Sequence, residues 1–193
     1  MNWFDTLKAI FNITLLASTI RVSISIVLAG MGEMINERAG VLNIGIEGTM
    51  LVGALAGALG SYFTGSPWIG LLLAGFGGML IGLLFSFIAI TLRSNQSITG
   101  LAIYLLCVGL TGYLLQIIFE HGGNSPRVNT LPILHIKFLE NVPFLGPLFN
   151  DQSIIAIPVL LLPLLLYIVF YRTLWGSWLR AAGENPKALA VVG

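Results

Sequence analysis

Residues 67–91 read PWIGLLLAGFGGMLIGLLFSFIAIT, a run without a single charged residue. A helix needs about 20 predominantly apolar residues to cross the hydrocarbon core of a bilayer, so this run is long enough to span it. Pro67 suits the first turn of such a helix, because the N–H that proline lacks would be unpaired there in any case. The stretch therefore predicts a transmembrane α-helix.

Further segments of similar character lie near residues 9–30, 47–63, 97–119 and 152–171. Inside lipid every backbone N–H and C=O must be paired within the protein, which a helix achieves alone and an isolated strand does not. The sequence predicts an all-α fold: a polytopic bundle of about five transmembrane helices, forming a single domain over residues 1–193. We expect a kink in the last span at Pro158 or Pro163.

The overall composition agrees with a membrane environment. The 193-residue chain is 56% hydrophobic and 9% charged, with a mean hydropathy of +0.94. Soluble domains carry about 25% charged residues, so this chain has too little polar surface to fold in water. Its net charge of +1 gives no basic patch for nucleic acid. We therefore expect membrane lipid, and no nucleic acid, around the chain.

Residue types capable of catalysis or metal binding are sparse. Cys107 is the only cysteine, and His121 and His135 stand far apart without acidic residues at metal-ligand spacing. The sequence contains no phosphate-binding glycine loop and no nucleophile beside a base. We expect no catalytic residue, no metal site, no cofactor and no enzyme activity in this chain.

The positions of arginine in the loops predict the orientation. Arg93 lies between the third and fourth spans, whereas Arg172 and Arg180 follow the fifth. Two spans separate these loops, so both lie on one side, and the positive-inside rule assigns that side to the cytoplasm. Residues 120–151 are then external, and we expect a short helix or loop there on the membrane surface.

A polar segment rich in glycine, NERAGVLNIGIEG, occupies residues 36–48 between two spans. Asn43 and Glu47 would share one face if the segment is helical. Three interpretations remain open: an ordinary loop, an amphipathic element on the membrane surface, or an interrupted helix that enters the bilayer and lines a cavity. Glu47 has an alternative role as a favourable charge at the N-terminus of the second span.

The stretch RSNQSITG, at residues 93–100, supplies further candidates at the start of the fourth span. Ser94, Asn95 or Ser97 is suited to cap this helix, whereas Asn95, Gln96 and Thr99 are alternatively placed to meet a hydroxylated substrate.

Small residues recur at helical spacing in the second and third spans, as Gly53, Gly57 and Ser61, and as Ala74, Gly78, Gly82 and Ser86. Such stripes let helices approach closely in lipid, either within the bundle or at a dimer interface.

The last residues, TLWGSWLRAAGENPKALAVVG at 173–193, predict a helix, a turn and a short second helix. Gly183 suits a left-handed end for the first helix, Asn185 suits a cap for the second, and Pro186 suits its first position. We expect Arg180, Glu184 and Lys187 to face water.

Two stretches carry a resemblance to a known family: NERAGVLNIGIEGTMLVGALAG at 36–57 and WGSWLRAAGENPKALAVVG at 175–193. Both resemble permease subunits of bacterial ABC-type importers for nucleosides and simple sugars, within the branched-chain amino acid and ribose permease family. The resemblance covers essentially the whole chain. Members of the family continue with further membrane helices, so we expect this chain to be the N-terminal part of a longer permease.

The resemblance implies a multi-pass protein of the bacterial cytoplasmic membrane that translocates nucleosides or simple sugars. Its implied partners are a cytoplasmic ABC ATPase that uses ATP, a second permease subunit in a homo- or heterodimer, and an extracytoplasmic substrate-binding lipoprotein. The interrupted segment then contributes to the substrate path, and the tail contributes a cytoplasmic coupling helix that contacts the ATPase. Alternatives are a secondary transporter driven by an ion gradient and an ABC permease for branched-chain amino acids. Candidate residues for the substrate path are Asn43, Glu47, Asn95, Gln96 and Thr99, and candidates for ATPase coupling are Arg180, Gly183, Glu184, Asn185 and Pro186.

Overall fold

A computed structural model describes residues 13–119, 128–134 and 152–192. In this part of the chain the elements are α1 (Ile13–Arg38), α2 (Ile46–Thr64), α3 (Pro67–Ser86), a π-helical turn (Phe87–Thr91), α4 (Gln96–Phe119), β1 (Ile133–Leu134), β2 (Gln152–Ser153), α5 (Ala156–Arg172), α6 (Leu174–Glu184) and α7 (Pro186–Val192). The two short strands pair antiparallel, with Ile133 opposite Ser153. The predicted all-α class is confirmed, because helices make up nearly all of the regular structure.

Four helices in the described residues are long and apolar enough to cross a membrane: α1, α2, α3 continued through the π turn, and α4. The spans predicted at 47–63, 67–91 and 97–119 are confirmed almost to the residue. The fifth predicted span is the 17-residue helix α5, which reaches spanning length only together with α6, across a bend of 77° at Thr173. The described residues therefore contain four helices that are long and apolar enough to span a membrane, or five such spans if this bent pair counts as one.

The predicted bounds of the first and last spans are wrong in part. Helix α1 does not end near residue 30 but continues through a polar stretch to Arg38, since its backbone pairing is not interrupted there. Helix α5 begins at Ala156 rather than near residue 152, because Gln152 and Ser153 pair with β1 instead. Pro163 lies inside α5 and Pro158 lies in its first turn, and a kink at either remains a prediction.

The chain divides into two compact units, one formed by Met1–Gly32 with Leu131–Ser177, the other by Glu33–Thr130 with Trp178–Gly193. In the first unit, the Gln152 side-chain amide donates a hydrogen bond to the Ala17 carbonyl at 3.1 Å. The predicted single domain over 1–193 remains a prediction.

Close packing of α2 on α3 forms the frame of the second unit. A Cβ added to Gly60 would lie 3.0 Å from the Gly70 Cα, and one added to Gly70 would lie 2.7 Å from the Gly57 carbonyl oxygen. The helices thus touch through their backbones, as small residues permit in a membrane. The predicted stripe in α2 is confirmed at Gly57, which meets Ala74.

Within this chain the predicted stripe in α3 packs on α2 closely only at Ala74, and its alternative role at a dimer interface remains a prediction. Among the described residues, no atom of a neighbouring element lies within 4 Å of a Cβ placed on Gly82, and for Gly78 only a Thr49 methyl does, at 4.0 Å. Gly70 and Gly77 face α2 in their stead, because 3.6 residues per turn rotates a strict four-residue repeat away from the contact.

The apolar core of the second unit lies where α3, the π turn and α4 meet, and it contains Phe85, Ala89, Ile103 and Cys107. Val41, from the segment between α1 and α2, packs against this core. Large apolar side chains cover the outer faces of the helices and are exposed, among them Leu72, Met79, Leu83, Ile98 and Leu105. Exposed apolar faces of this kind are suited to lipid.

At one end of the second unit the chain after α4 is tied to the turn between α2 and α3. The Ser61 hydroxyl donates to the Asn129 carbonyl at 2.8 Å, and the Asn129 amide donates to the Gly65 carbonyl at 2.8 Å. The surface helix or loop predicted for 120–151 lies mostly outside the described residues.

Candidate functional site

The interruption between α1 and α2 is shorter than the sequence predicts and covers residues 39–45, named here the break. Its first turn closes α1: Gly40 has a φ of +78°, its N–H donates to the Glu37 carbonyl at 3.0 Å, and the Val41 N–H donates to the Asn36 carbonyl at 2.9 Å. This pair of bonds is the Schellman motif, which favours glycine at the left-handed position.

Side chains, rather than a helix, pair the next backbone donors of the break. The Leu42 N–H donates to Gln96 Oε1 at 2.9 Å, and the Asn43 N–H donates to Glu33 Oε1 at 2.7 Å. The Gly45 N–H donates to Asn43 Oδ1 at 3.0 Å. Buried backbone donors must find partners, so these three acceptors allow irregular backbone to lie among helices.

The break also touches α4 through backbone atoms. A Cβ added to Gly45 would lie 2.6 Å from the Gly100 carbonyl oxygen, and one added to Gly100 would lie 2.9 Å from the Gly45 nitrogen. One turn further, a Cβ on Gly48 would lie 3.0 Å from the Tyr104 Cα and 3.1 Å from Cys107 Cβ. The start of α2 and the first turns of α4 are therefore in direct contact.

Three of the predicted substrate-path residues meet at this contact. Asn43 is only 9% exposed, Gln96 bonds the break, and Thr99 is 6% exposed beside Gly100. Asn43 lies in the break, Gln96 bonds the break, and Thr99 precedes the glycine that contacts it, so the three residues lie at the same end of the second unit. Their role in transport remains a prediction.

The other two predicted path residues lie outside this cluster. Asn95 is exposed and caps α4, accepting from the N–H groups of Ser97 at 3.0 Å and Ile98 at 3.2 Å. Glu47 is exposed in the first turn of α2, where a negative charge is favourable. The condition for Asn43 and Glu47 to share a helical face is not met, because Asn43 precedes α2 and its side chain turns onto Gly45.

Glu33 is the residue that the sequence analysis missed. Besides the Asn43 N–H, its carboxylate accepts from the Asn36 amide at 3.2 Å. Glu33 and Asn36 are three residues apart, a spacing that brings side chains together on a helix. It indicates their contact only if α1 continues past residue 30.

The tail forms the predicted helix, turn and helix. Asn185 Oδ1 accepts from the Ala188 N–H at 3.0 Å, and Pro186 is the first residue of α7, so the predicted cap is confirmed. Glu184, Asn185 and Pro186 are exposed, whereas Arg180 is half-buried.

The prediction that Gly183 ends a helix in a left-handed conformation is wrong. Helix α6 continues to Glu184, and among the described glycines only Gly40 and Gly65 have positive φ. Gly183 instead packs against the break: a Cβ on Gly183 would overlap the Arg38 carbonyl oxygen and lie 3.0 Å from the Gly40 nitrogen. Close backbone contact, and not a turn, explains this glycine.

Positive charges gather at the end of the second unit that holds the break. Arg38, Arg93, Arg180 and Lys187 lie beside the break or in neighbouring segments, whereas the turn at residues 61–68 carries no lysine or arginine and the segment 120–151 contains Arg127 and Lys137. The predicted cytoplasmic side of the break and α6 remains a prediction. Within the described residues, no group of three His, Cys, Asp or Glu side chains is placed to hold a metal ion.

Comparisons with known proteins identify the family. Residues 15–193 match the family described as branched-chain amino acid transport system / permease component. The chain is 35% identical to a putative glucose ABC transporter permease protein of Haloferax volcanii, over 93% of this chain and 54% of the relative.

Two further relatives are named for nucleosides. A guanosine ABC transporter permease protein of Bacillus subtilis is 30% identical over 91% of this chain and 57% of its own length. A nucleoside ABC transporter permease protein of Lactococcus lactis is 28% identical over 100% of this chain and 61% of its own length.

The chain spans little more than half the length of these curated relatives. No solved structure matches it. The family match covers nearly all of the chain and agrees with its membrane-spanning helices. The chain is an integral membrane protein and belongs to this family of transport-system permeases.

Proposed function

We propose that this chain forms part of the permease of an ATP-driven ABC importer that carries nucleosides or, next in order, simple sugars across the cytoplasmic membrane. The single observation that carries the proposal is the family match over residues 15–193. The relatives' names point to nucleosides, guanosine and glucose as the solutes of those proteins.

The structure supports a permease role through the break. Irregular backbone at membrane depth is tolerated where it is buried in protein or lines a water-filled cavity, and interrupted helices build substrate sites in transporters. Asn43, Gln96 and Thr99 supply neutral polar groups near this segment, which suits a solute with hydroxyl and amide groups but no charge. We assign these residues to the substrate path.

The proposed cycle needs partners outside this chain. An extracytoplasmic binding lipoprotein delivers the solute, and a second permease subunit, identical or different, completes the path. A cytoplasmic ATPase binds and hydrolyses ATP, and it moves the exposed segment formed by Glu184, Asn185 and Pro186. The helices then alternate between outward-open and inward-open states.

The alternative functions are not favoured. An ion-driven secondary transporter does not agree with relatives named as ABC transporter permeases. A branched-chain amino acid substrate agrees with the family description, but these relatives are named for nucleosides and glucose.

Reconstitution tests the proposal. The full-length permease, its ATPase and its binding lipoprotein are placed in proteoliposomes, and uptake of labelled guanosine and labelled glucose is measured with and without ATP. We expect ATP-dependent uptake of one solute class, reduced by Asn43→Leu. Uptake that needs an ion gradient and ignores ATP would contradict the proposal, and normal uptake by Asn43→Leu would remove Asn43 from the path.

A further inference from the structure

We propose that Gly183 is a positioning residue: through it, helix α6 holds the break, so that movement of α6 displaces the break and the first turns of α4 as one block. The inference rests on the proposed function, because it assigns the route by which an ATPase acting on the tail reaches the substrate path.

The first step of the route is the contact between α6 and the break. A Cβ on Gly40 would lie 3.1 Å from the Gly183 Cα, and a Cβ on Gly183 would overlap the Arg38 carbonyl oxygen. Two backbones at this distance leave no side chain between them that could yield when one of them moves. A displacement of α6 toward the break is therefore transmitted directly to Gly40.

The second step joins Gly40 to Asn43. The Schellman turn fixes Gly40 and Val41 to the end of α1, and the Glu33 carboxylate fixes the Asn43 N–H at 2.7 Å. Asn43 in turn accepts from the Gly45 N–H at 3.0 Å. Gly40, Val41, Asn43 and Gly45 are thus each tied by a hydrogen bond, which makes the break a short rigid segment rather than a flexible loop.

The third step joins the break to α4. Gln96, at the first turn of α4, accepts from the Leu42 N–H at 2.9 Å, and Gly45 and Gly100 touch through their backbones. Thr99 is one residue from this contact and is nearly fully buried. A movement that begins at α6 therefore ends at the polar residues assigned to the path.

The test is Gly183→Ala in the full-length permease, assembled with its ATPase and lipoprotein. The added methyl group has no room against Arg38 and separates α6 from the break. The matched control is Gly82→Ala, where nothing lies within 4 Å of the new Cβ. Three quantities are measured for each variant: co-purification of the ATPase, ATP hydrolysis, and solute uptake per ATP.

We expect Gly183→Ala to retain the ATPase and its hydrolysis while uptake per ATP falls about tenfold, within the range for residues that carry coupling between sites. Gly82→Ala should match the wild type in all three. A Gly183→Ala permease that folds, assembles and transports as many solute molecules per ATP as the wild type overturns the inference.

A second measurement uses the unmodified complex and does not depend on the folding of a variant. Hydrogen exchange is compared between the ATP-free and ATP-trapped complexes, in peptides that cover residues 39–45 and 178–184. We expect exchange in both peptides to change together. A change in 178–184 without any change in 39–45 overturns the inference, whereas absence of ATP-dependent uptake by the wild type overturns only the proposed function.

Discussion

Two regions of the second unit are held together by different forces. The α2–α3 interface is a continuous contact of small residues, in which Gly57, Gly60 and Gly70 bring backbones together. The break is held by separate hydrogen bonds, with Glu33 and Gln96 as acceptors from α1 and α4. Continuous packing stabilises the first region, whereas hydrogen bonds together with backbone contacts at Gly40 and Gly45 stabilise the second.

The difference shows which region is able to change during a transport cycle. Close-packed backbones resist sliding, because any shift opens a void or creates an overlap. Hydrogen bonds to side chains are exchanged singly, and each contributes only about 1 kcal/mol net because another polar group or water takes the place of the lost partner. The α2–α3 pair is thus suited to be a frame, whereas the break, joined to α4 at Gln96 and Gly100, is suited to move together with the first turns of α4 when its bond to Glu33 is exchanged.

The largest expected effect belongs to the frame. Gly70→Leu should lower the stability of the solubilised permease by about 3 kcal/mol, since a Cβ at Gly70 already lies 2.7 Å from the Gly57 carbonyl oxygen. Thermal unfolding in detergent measures the change. The control is Gly75→Leu in the same helix, where nothing lies within 4 Å. Equal loss of stability in both variants would mean that the helix, and not the interface, is sensitive.

An intermediate effect is expected for the hydrogen bond between Glu33 and the Asn43 N–H of the break. Glu33→Leu removes the acceptor of the Asn43 N–H, and it should cost about 1–2 kcal/mol because a largely buried donor loses its partner. Glu33→Gln keeps an acceptor oxygen and should cost much less. Glu37→Leu, an exposed acid one turn along α1, is the control for loss of charge.

Limited proteolysis within residues 39–45 tests the same hydrogen bond. We expect faster cleavage there for Glu33→Leu than for Glu33→Gln or Glu37→Leu. Equal cleavage of all three variants would show that the hydrogen bond to Asn43 does not hold the break.

The smallest expected effect belongs to the cap of α4. Asn95→Ala should lower stability by about 1 kcal/mol, because Asn95 accepts from the Ser97 and Ile98 N–H groups. Asn95→Asp keeps the capping oxygen and should retain both stability and uptake. Normal stability combined with lost uptake in Asn95→Asp would return this residue to the substrate path.

The spans were predictable from the sequence because apolar length and internal backbone pairing are local properties. Helices α2, α3 and α4 match their predicted ranges for that reason. The end of α1 was not predictable in this way. Glu33, Asn36 and Arg38 lower the local hydropathy but do not stop the helix, and the turn at Gly40 fixes where it ends.

The site was predictable only in part, because its contacts join residues far apart in sequence. The caps at Asn95 and Asn185 follow from local chemistry and were identified. The bond from Leu42 to Gln96 spans 54 residues, and no local pattern indicates it. Gly183 shows most clearly the limit of prediction from local sequence. A glycine near a helix end is explained either by a turn, which local sequence indicates, or by close contact with a segment far away in sequence, which it does not.

The measurement that tests the account most directly is the sidedness of the two ends of the second unit. Single cysteines are introduced as Lys187→Cys and Ser66→Cys in a Cys107→Ser background, and intact cells are treated with a membrane-impermeant thiol reagent. The account predicts that Ser66→Cys is labelled from outside and that Lys187→Cys is labelled only after permeabilisation. Labelling of Lys187→Cys in intact cells would place the tail beyond the reach of a cytoplasmic ATPase and contradict the account.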